Sequence, residues 1–279
     1  MRQTSSVLYI AVDALIPLKG KPLAGFDEFT AAMDHAGIPM VWVSSRTRLQ
    51  LDDPRRKIGH RHPFIAEDGC GVYLPEDYFH LRPEKSVRLG RFMCIPVAEE
   101  QPAAGDALEA LAEATGVDVV LLRSLSPREL AQNSGLAGRE SELLRQRDFD
   151  ELFFLAGASE ADTKRLRTEA QSRKLQLRED GVLWSAAVGA SLHRCVRELA
   201  SLYDRALRRH ASSVAIADAE RAASLFPPCD RRILLSEGSS PEQGAEPASA
   251  LSRLGAVDTF ALRDPDLWAQ LIERLAPKN

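Results

Sequence analysis

Polar side chains that could do chemistry follow four segments of the chain. They are Asp13 after Val7–Val12, Ser44 and Ser45 after Ile38–Val43, His193 and Arg194 at the start of an amphipathic helix, and Asp218 after Ser213–Ala217. Such apolar runs, bounded by turn residues, are typical of strands buried in a parallel sheet. Proteins of this kind place their functional groups at the C-terminal ends of the strands. Carboxylates there could attack or donate a proton, and hydroxyl and basic groups could hold an anion.

Each of these residues also has a purely structural interpretation. Asp13 could cap a loop, and the Ser44-Ser45 pair could be an ordinary helix N-cap. Asp218 stands between two alanines, which favours a helix N-cap over a reactive role. His193 fits a solvated residue in the first turn of a helix better than a catalytic base. The residue types alone leave these alternatives open.

The elements around these positions alternate between strand and helix. A helix is predicted over Phe26–His35, and short strands over Phe64–Ala66 and Val72–Leu74. This order indicates a doubly wound parallel α/β sheet. The middle of the chain differs, with an Ala- and Leu-rich helix over Pro102–Thr115 and a hairpin turned at Asp180-Gly181. We predict a core domain over residues 1–82 and 190–279, and a separate α+β module inserted over 83–189.

The last part of the chain returns to the first pattern. Its predicted elements are a helix over His193–Arg209, a Gly- and Ser-rich loop over Ser236–Ser249, and a closing helix over Asp264–Leu275. The helix over His193–Arg209 is amphipathic, so one of its faces is expected to pack on the sheet.

Composition narrows the classes of function. The 279 residues carry 36 Lys and Arg against 40 Asp and Glu, for a net charge of −4, so we expect no nucleic-acid partner. No apolar run approaches the roughly 20 residues that cross a bilayer, and we expect no secretion signal at the start of the chain. Four widely separated cysteines indicate neither a zinc site nor a disulfide scaffold. A cytoplasmic location with no membrane partner is therefore expected.

Several short motifs match the pattern of one known family. They are Gly37-Ile38-Pro39, Ser44-Ser45-Arg46-Thr47, His62 to Gly69, Tyr73-Leu74-Pro75 with Tyr78-Phe79, Ser126 to Leu130 with Gly135-Leu136, and Arg147 to Glu151. By these motifs the chain resembles the haloacid dehalogenase (HAD) superfamily, and within it the mannosyl-3-phosphoglycerate phosphatase group. The block from Gly37 to Phe79 is the most specific part of this resemblance. The resemblance implies a HAD-type core with an inserted C2-type cap and a ligand cleft between them.

The resemblance also implies a chemistry, namely phosphate-ester hydrolysis through an aspartyl-phosphate with Mg²⁺. That reaction needs a carboxylate nucleophile, a second carboxylate two residues later, a Ser or Thr and a Lys for the phosphoryl oxygens, and acidic ligands for the metal. The Ser is present as Ser44. The Lys position falls near His193 or Arg194, which differ from Lys in charge or reach.

The reacting residues depart from that pattern. By its spacing to Ser44-Ser45, the motif D-x-D-G-T-L places the nucleophile on Ala11, the second carboxylate on Asp13 and the Thr on Leu15. The motif G-D-G-x-N-D falls on residues 217–222, where Asp218 remains and the last acid is Ala222. Alanine can neither form an acyl-phosphate nor bind a cation. The only metal ligands that remain are Asp13 and Asp218, so a Mg²⁺ cofactor is weakly supported.

The residues that the resemblance assigns to ligand binding match the family's pattern more closely than the reacting residues do. Besides Ser44 and Ser45, they are Glu67, Asp68, Arg147, Asp148 and Glu151, with Asp68 standing where the family has Asn. We therefore expect a catalytically degenerate protein, a pseudoenzyme that binds a phosphorylated sugar, a glycerate-type anion or a protein partner. Two alternatives stay open. One is an active phosphomonoesterase with rearranged residues, whose remnant catalytic candidates are Asp13, Ser44, His193 and Arg194. The other is an interaction module without a small ligand.

Overall fold

The protein is described by a computed structural model that covers residues 6–18, 21–80, 83–136, 138–237 and 255–276. Nine strands in these ranges form one sheet. In spatial order they are β13 (Asp258–Ala261), β12 (Arg231–Ser236), β11 (Ser212–Asp218), β1 (Ser6–Ala11), β2 (Met40–Val43), β3 (Phe64–Ala66), β4 (Gly71–Pro75), β6 (Phe92–Pro96) and β5 (Val87–Leu89).

The six strands from β13 to β3 are parallel, and β4, β6 and β5 are added in antiparallel pairs. In the central strand β1, Ala11 pairs with Val43 of β2, and Ile10 pairs with Ile216 of β11. Strands β1 and β2 are apolar almost throughout, as is typical where both faces of a sheet are covered. Their register brings the residues that follow β1, β2 and β11 to one edge of the sheet.

Helices cover both faces of this sheet. They are α1 (Phe26–His35), α2 (Arg48–Ile58), α7 (Leu192–Leu207), α8 (Ala219–Leu225) and α9 (Leu267–Leu275). On one face, Phe26 and Phe29 of α1 pack with Trp42 and Trp268. On the other face, the apolar side of α7, including Leu199, packs with Tyr9. The two clusters give the large sheet a hydrophobic core on each side.

A second sheet of four antiparallel strands lies between β6 and α7 in the chain, and we call the unit built on it the cap. Its spatial order is β7 (Val119–Leu121), β8 (Glu151–Leu155), β10 (Leu183–Val188) and β9 (Leu175–Asp180). Its helices are α3 (Gln101–Thr115), α4 (Pro127–Ser134), α5 (Gly138–Arg145) and α6 (Glu160–Ser172). Leu108 of α3 and Leu166 of α6 are fully buried in the same cluster as Phe153, so these two helices share a core with the cap sheet.

The predicted α/β architecture is confirmed, and local signals were accurate in several places. Ser126 and Glu129 form the predicted capping box of α4, and Gly181 lies in the turn that joins β9 to β10. The four cysteines are buried and free. None of the helices in the described ranges combines the length and apolar character needed to span a membrane.

The structure differs from the predicted elements at three places. Strands β5 and β6 pair with the large sheet, although the sequence-based boundary at residue 83 assigns them to the insert. Ser236 ends strand β12 instead of starting a loop, and the predicted loop beyond Glu237 lies outside the described residues up to 254. The closing helix begins at Leu267 instead of Asp264, because Asp264 accepts backbone and side-chain hydrogen bonds ahead of the helix.

Candidate functional site

A cleft of about 960 Å³ lies between the C-terminal edge of the large sheet and the cap. Asp13 and Arg221 contribute from the large sheet and its helices, and Arg147, Arg178 and Trp184 contribute from the cap side. The cap side also carries leucines, including Leu136, Leu152 and Leu183. The cleft therefore has a charged floor and a partly apolar wall. Clefts of this size between structural units are the usual place for a small ligand.

Asp13 is the most heavily engaged carboxylate of the cleft. Its Oδ1 accepts a hydrogen bond from Ser44 Oγ, and its Oδ2 accepts bonds from Ser45 N at 2.8 Å and Ser45 Oγ at 2.9 Å. Arg221 Nη2 also donates to Oδ2, at 3.1 Å, and Arg46 Nε lies 3.7 Å from Oδ1. Burial alone would raise the pKa of Asp13, but the two arginines and the serines outweigh it and lower the pKa. Asp13 is thus a charged carboxylate that accepts four hydrogen bonds, one on Oδ1 and three on Oδ2.

Sequence reasoning predicted the meeting of Asp13 with the serine pair but missed the arginines around it. Arg46 follows Ser45 in the chain, and its guanidinium donates to the backbone oxygen of Ile16, so it ties the loop after β1 to the site. Burial lowers the pKa of Arg46, and Asp13 and Asp180 oppose that shift. A guanidinium keeps its charge under such conditions, whereas an ammonium loses its proton more readily.

Arg221 lies at the centre of an ion-pair network that joins the two sides of the cleft. Its Nη1 is 2.9 Å from Asp68 Oδ1, while its Nη2 reaches Asp13. Arg178, from strand β9 of the cap, pairs with the other oxygen of Asp68 and donates to Glu220 Oε1 at 2.5 Å. The signal for Arg221 was present in the sequence, since it occupies the Asn position of the motif placed on residues 217–222. The sequence does not show that this side chain turns toward Asp13 and Asp68, which lie far from it in the chain.

Asp218 takes the structural role that its alanine neighbours favoured. It precedes helix α8 as the N-cap, and its Oδ1 accepts a hydrogen bond from the backbone N–H of Arg221 at 2.9 Å. Burial raises the pKa of Asp218, and the contact with Arg221 only partly offsets this. One of its oxygens is therefore committed to the helix.

The position that the resemblance gives to the nucleophile lies in the hydrophobic core. Ala11 is 2% exposed and packs in the same apolar cluster as Val43, Ala217 and Ala222. Ala11 does not line the cleft, whereas Asp13 does. Leu15, at the Thr position, is also fully buried. The structure thus has apolar side chains where an aspartyl-phosphate mechanism needs an attacking oxygen.

The residues present do not fit the Mg²⁺ ion that the resemblance implies. Asp13 is already hydrogen-bonded to Ser44, Ser45 and Arg221, and Asp218 caps a helix. A guanidinium also lies against Asp13, and a divalent cation would have to displace it. Within the described ranges, no group of three or more His, Cys, Asp or Glu side chains is arranged to hold a metal ion. Mg²⁺ prefers several oxygen ligands in near-octahedral geometry, which this donor set does not offer.

Glu67 and Asp148, both predicted to face a ligand, instead connect the two structural units. The buried carboxylate of Glu67 accepts hydrogen bonds from three successive backbone N–H groups, those of Asp148, Phe149 and Asp150. Asp148 accepts bonds from Arg48 Nε at 2.7 Å and from the Tyr73 hydroxyl at 2.8 Å. Neither residue lines the main cleft. Glu67 and Asp148 do not reach the cleft as predicted. The buried segment that enters β8 needs hydrogen-bond partners, and these two residues make those bonds.

Arg147 does line the cleft, but it is already paired. It donates to both oxygens of Asp150 and to the backbone oxygen of Ser45 at 2.8 Å. Burial opposes its charge, while Asp150 and Glu67 outweigh burial and raise its pKa. Glu151 points away from the cleft toward Gln101 and Arg123, and burial raises its pKa to about 7. Of the residues predicted to bind a ligand, the cleft therefore brings together Ser45, Asp68 and Arg147, with Ser44 directly behind them.

His193 and Arg194 do not reach the main cleft. His193 is exposed on the first turn of α7, where it borders a smaller neighbouring cavity of about 430 Å³. The backbone N–H of Arg194 is capped by Ser191 Oγ, and its side chain donates to the backbone oxygen of Val97 at 3.4 Å. The structure therefore supplies the positive charge of the cleft from Arg46, Arg178 and Arg221, and not from the start of α7.

The chain is similar to known proteins both in its fold and in its sequence. A Bacteroides thetaiotaomicron structure, described among the phosphatases of the HAD enzyme superfamily, covers 98% of this chain and 96% of its own, with a TM-score of 0.62 and 15% identity. A glucosyl-3-phosphoglycerate/mannosyl-3-phosphoglycerate phosphatase from Methanococcoides burtonii is 24% identical over 166 residues, or 60% of this chain and 61% of that protein. One with the same description from Persephonella marina is 25% identical over 52% of each chain. No family model matches the chain.

These findings define the class of the protein as a HAD-fold α/β protein with an inserted cap. Within that class, its sequence is similar to the mannosyl-3-phosphoglycerate phosphatase group, which confirms the resemblance drawn from the short motifs. The similarity spans less than two thirds of the length of those two relatives.

Proposed function

We propose that this protein is a catalytically degenerate HAD-fold protein that binds a phosphorylated sugar or glycerate-type anion in its cleft without hydrolysing it. The observation that carries the proposal is Ala11, an apolar residue in the hydrophobic core at the position of the nucleophile. Without a carboxylate there, no acyl-phosphate can form. The contacts of Asp13 support the same conclusion, because its carboxylate already accepts hydrogen bonds from Ser44, Ser45 and Arg221.

The proposed ligand binding rests on the shape and the charged lining of the cleft. It is open, and four arginines line it. Among them, Arg178 is the one most readily exchanged, since its partner Glu220 is 59% exposed and such ion pairs contribute about 0–1 kcal/mol. A phosphate or carboxylate could replace Glu220 on Arg178, and its sugar or glycerate hydroxyl groups could bond to Ser185 and Asp180. Arg is well suited to both kinds of anion because its N–H groups match their oxygens.

Phosphate release tests the catalytic half of the proposal. Purified protein is incubated with mannosyl-3-phosphoglycerate or glucosyl-3-phosphoglycerate and MgCl₂, and free phosphate is measured. We expect no release above that of buffer alone, because the chain has no nucleophile at position 11. Mg²⁺-dependent release that Asp13→Asn abolishes would overturn the proposal and support an active phosphatase with rearranged residues.

A thermal-shift panel of phosphorylated sugars and glycerates tests the ligand half. A compound that binds only the folded state raises stability by about 2.7 kcal/mol at 100 times its Kd, which corresponds to a Tm increase of about 5–10 °C for a chain of this size. The increase should shrink in Arg178→Gln and persist in Arg173→Gln, which alters an exposed cap arginine outside the cleft. A flat response across the panel would contradict ligand binding and favour a pure interaction module.

A further inference from the structure

The side chain of Arg221 is buried between two carboxylates that lie on different elements. It is 6% exposed, and its two terminal nitrogens contact Asp13 Oδ2 at 3.1 Å and Asp68 Oδ1 at 2.9 Å. Asp13 follows β1, and Asp68 lies in the turn after β3. One guanidinium therefore connects the ends of two strands of the large sheet.

The chain differs from the resembling family at both ends of the Arg221–Asp68 contact. The motif G-D-G-x-N-D has Asn where this chain has Arg221, and the Glu-Asn-Gly turn has Asn where it has Asp68. Two neutral amides are thus replaced by a base and an acid, and the structure places this base and this acid in contact. A paired exchange of this kind conserves the net charge of the site while adding a permanent cation next to Asp13.

That cation has an electrostatic task. Arg221 pairs with both Asp13 and Asp68, so its removal would leave these two partly buried carboxylates without the positive charge that lies between them. Arg46 and Arg178 each lie next to one of the two carboxylates, and Arg221 is the side chain that contacts both. Removing one member of a buried ion pair is strongly destabilising, because the remaining charge loses a partner.

We propose that the Arg221 guanidinium is a built-in counter-cation that takes the electrostatic place of a divalent metal ion at the Asp13–Asp68 end of the cleft. The protein therefore folds and keeps this end of the cleft ordered without a metal. The proposal does not depend on whether the cleft binds a ligand, so it can fail while the proposed function stands, and the reverse also holds. Arg suits the task because it remains protonated in buried sites and its planar N–H groups reach two carboxylates at once.

Thermal unfolding of the full chain with and without Mg²⁺ tests this proposal. We expect the wild-type Tm to be the same in millimolar MgCl₂, in EDTA, and in NaCl of equal ionic strength. Arg221→Asn should lower the Tm by at least about 6 °C in EDTA, and part of that loss should return with MgCl₂, since Asp13 and Asp68 then lack a cation. Isothermal titration with MgCl₂ should give binding heat for Arg221→Asn and none for the wild type.

Matched variants separate this role from a general loss of charge. Arg178→Gln removes another arginine from Asp68 but leaves Arg221 between the two acids, so its Tm should fall less and should not respond to MgCl₂. The double variant Asp68→Asn, Arg221→Asn restores the pair of amides and should melt above Arg221→Asn alone. If Arg221→Asn yields no folded protein, the double variant must fold for the proposal to stand.

Two results would overturn the proposal. One is a wild-type Tm that rises with MgCl₂ beyond the NaCl control, since the protein would then have a metal site of its own. The other is an Arg221→Asn variant with wild-type Tm and no response to MgCl₂, since the guanidinium would then have no electrostatic task.

Discussion

Ala11 and Asp13 are two residues apart in the chain, yet they belong to different environments. Ala11 packs in the hydrophobic cluster on the α7 side of the sheet, whereas Asp13 faces the cleft and accepts hydrogen bonds from Ser44 and Ser45. An alanine at position 11, where the resembling family has its nucleophile, therefore leaves the polar edge of the sheet in place. The proposed loss of catalysis is compatible with an intact, charged cleft, because fold and reaction depend on different side chains.

Another buried residue, His60, gives a pH prediction at the residue scale. His60 stacks against Trp42, accepts a hydrogen bond from Arg55 Nε at 3.0 Å through Nδ1, and lies 2.6 Å from the Met40 oxygen through Nε2. This geometry holds the neutral ring with the proton on Nε2. Burial and the adjacent Arg55 lower the pKa of His60 well below its ordinary value of 6.5.

The sign of the pH effect follows from proton uptake. Below pH 6.5 the unfolded chain binds a proton at His60 that the folded chain does not, so stability falls as the pH falls. The loss from this group is about 1.4 kcal/mol for each pH unit below 6.5, until the folded-state pKa is reached. His60→Gln should reduce the slope of unfolding free energy against pH between 7.5 and 5.5, as urea titrations at each pH would measure. The exposed His193→Gln serves as control, and a slope unchanged in His60→Gln would contradict the assignment.

The sequence predicted which residues lie at the same edge of the sheet. It did not predict which of them form hydrogen bonds and ion pairs with each other. The Ser44-Ser45 pair and Asp13 were predicted to share the sheet edge, and they do. Arg178 could not have been predicted, since it reaches Asp68 across 110 positions of chain from a cap strand. Glu67 and Asp148 were predicted to bind a ligand because they are charged, but burial gave them protein partners instead.

At the scale of elements, the turn Glu67–Gly69 organises the contact between the large sheet and the cap. All three of its residues have positive φ, at 50°, 54° and 92°. This backbone directs the Glu67 carboxylate to the segment that enters β8 and Asp68 to the cleft. Gly69 packs directly on the start of α7, where its oxygen accepts a hydrogen bond from Ser191 N at 3.0 Å. One short turn thus fixes the cap segment, the cleft and helix α7 together.

Replacing Gly69 tests how tightly that turn is packed. A Cβ at Gly69 would lie 2.5 Å from the backbone nitrogen of Leu192, and φ of +92° is unfavourable for any L side chain. Gly69→Ala should therefore cost about 2–5 kcal/mol in the free energy of unfolding, measured in urea. Gly157→Ala is a matched control, since Gly157 has φ of +66° with open space around it and should cost about 1–2 kcal/mol. Equal losses in both variants would show that the contact with Leu192 does not matter.

Element types and order were predictable because their signals are local. Apolar runs predicted β1 and β2, and the Ser-Pro-x-Glu pattern predicted the start of α4. The assignment of β5 and β6 to the large sheet depends on pairing with β4, which is a tertiary contact that no local pattern records. Alternation of buried and exposed positions is also weak in β5, which leaves little signal for its partner.

At the scale of the whole molecule, the cap and the large sheet are joined by charged side chains that the catalytic chemistry would otherwise need free. Asp68, between Arg221 and Arg178, connects the two units across the cleft. An open cleft, an alanine at position 11 and a guanidinium between two carboxylates therefore occur in the same molecule. The net charge of −4 gave no sign of this arrangement, because a sum over the whole chain does not record where its charges lie.

A crystal structure of the protein grown with MgCl₂ would show whether Arg221 takes the place of a metal ion. We expect the Arg221 guanidinium to contact both Asp13 and Asp68, with no metal ion among Asp13, Asp68 and Asp218. A Mg²⁺ ion bound by Asp13 and Asp218, with Arg221 turned away from them, would refute the counter-cation role and favour an active phosphatase.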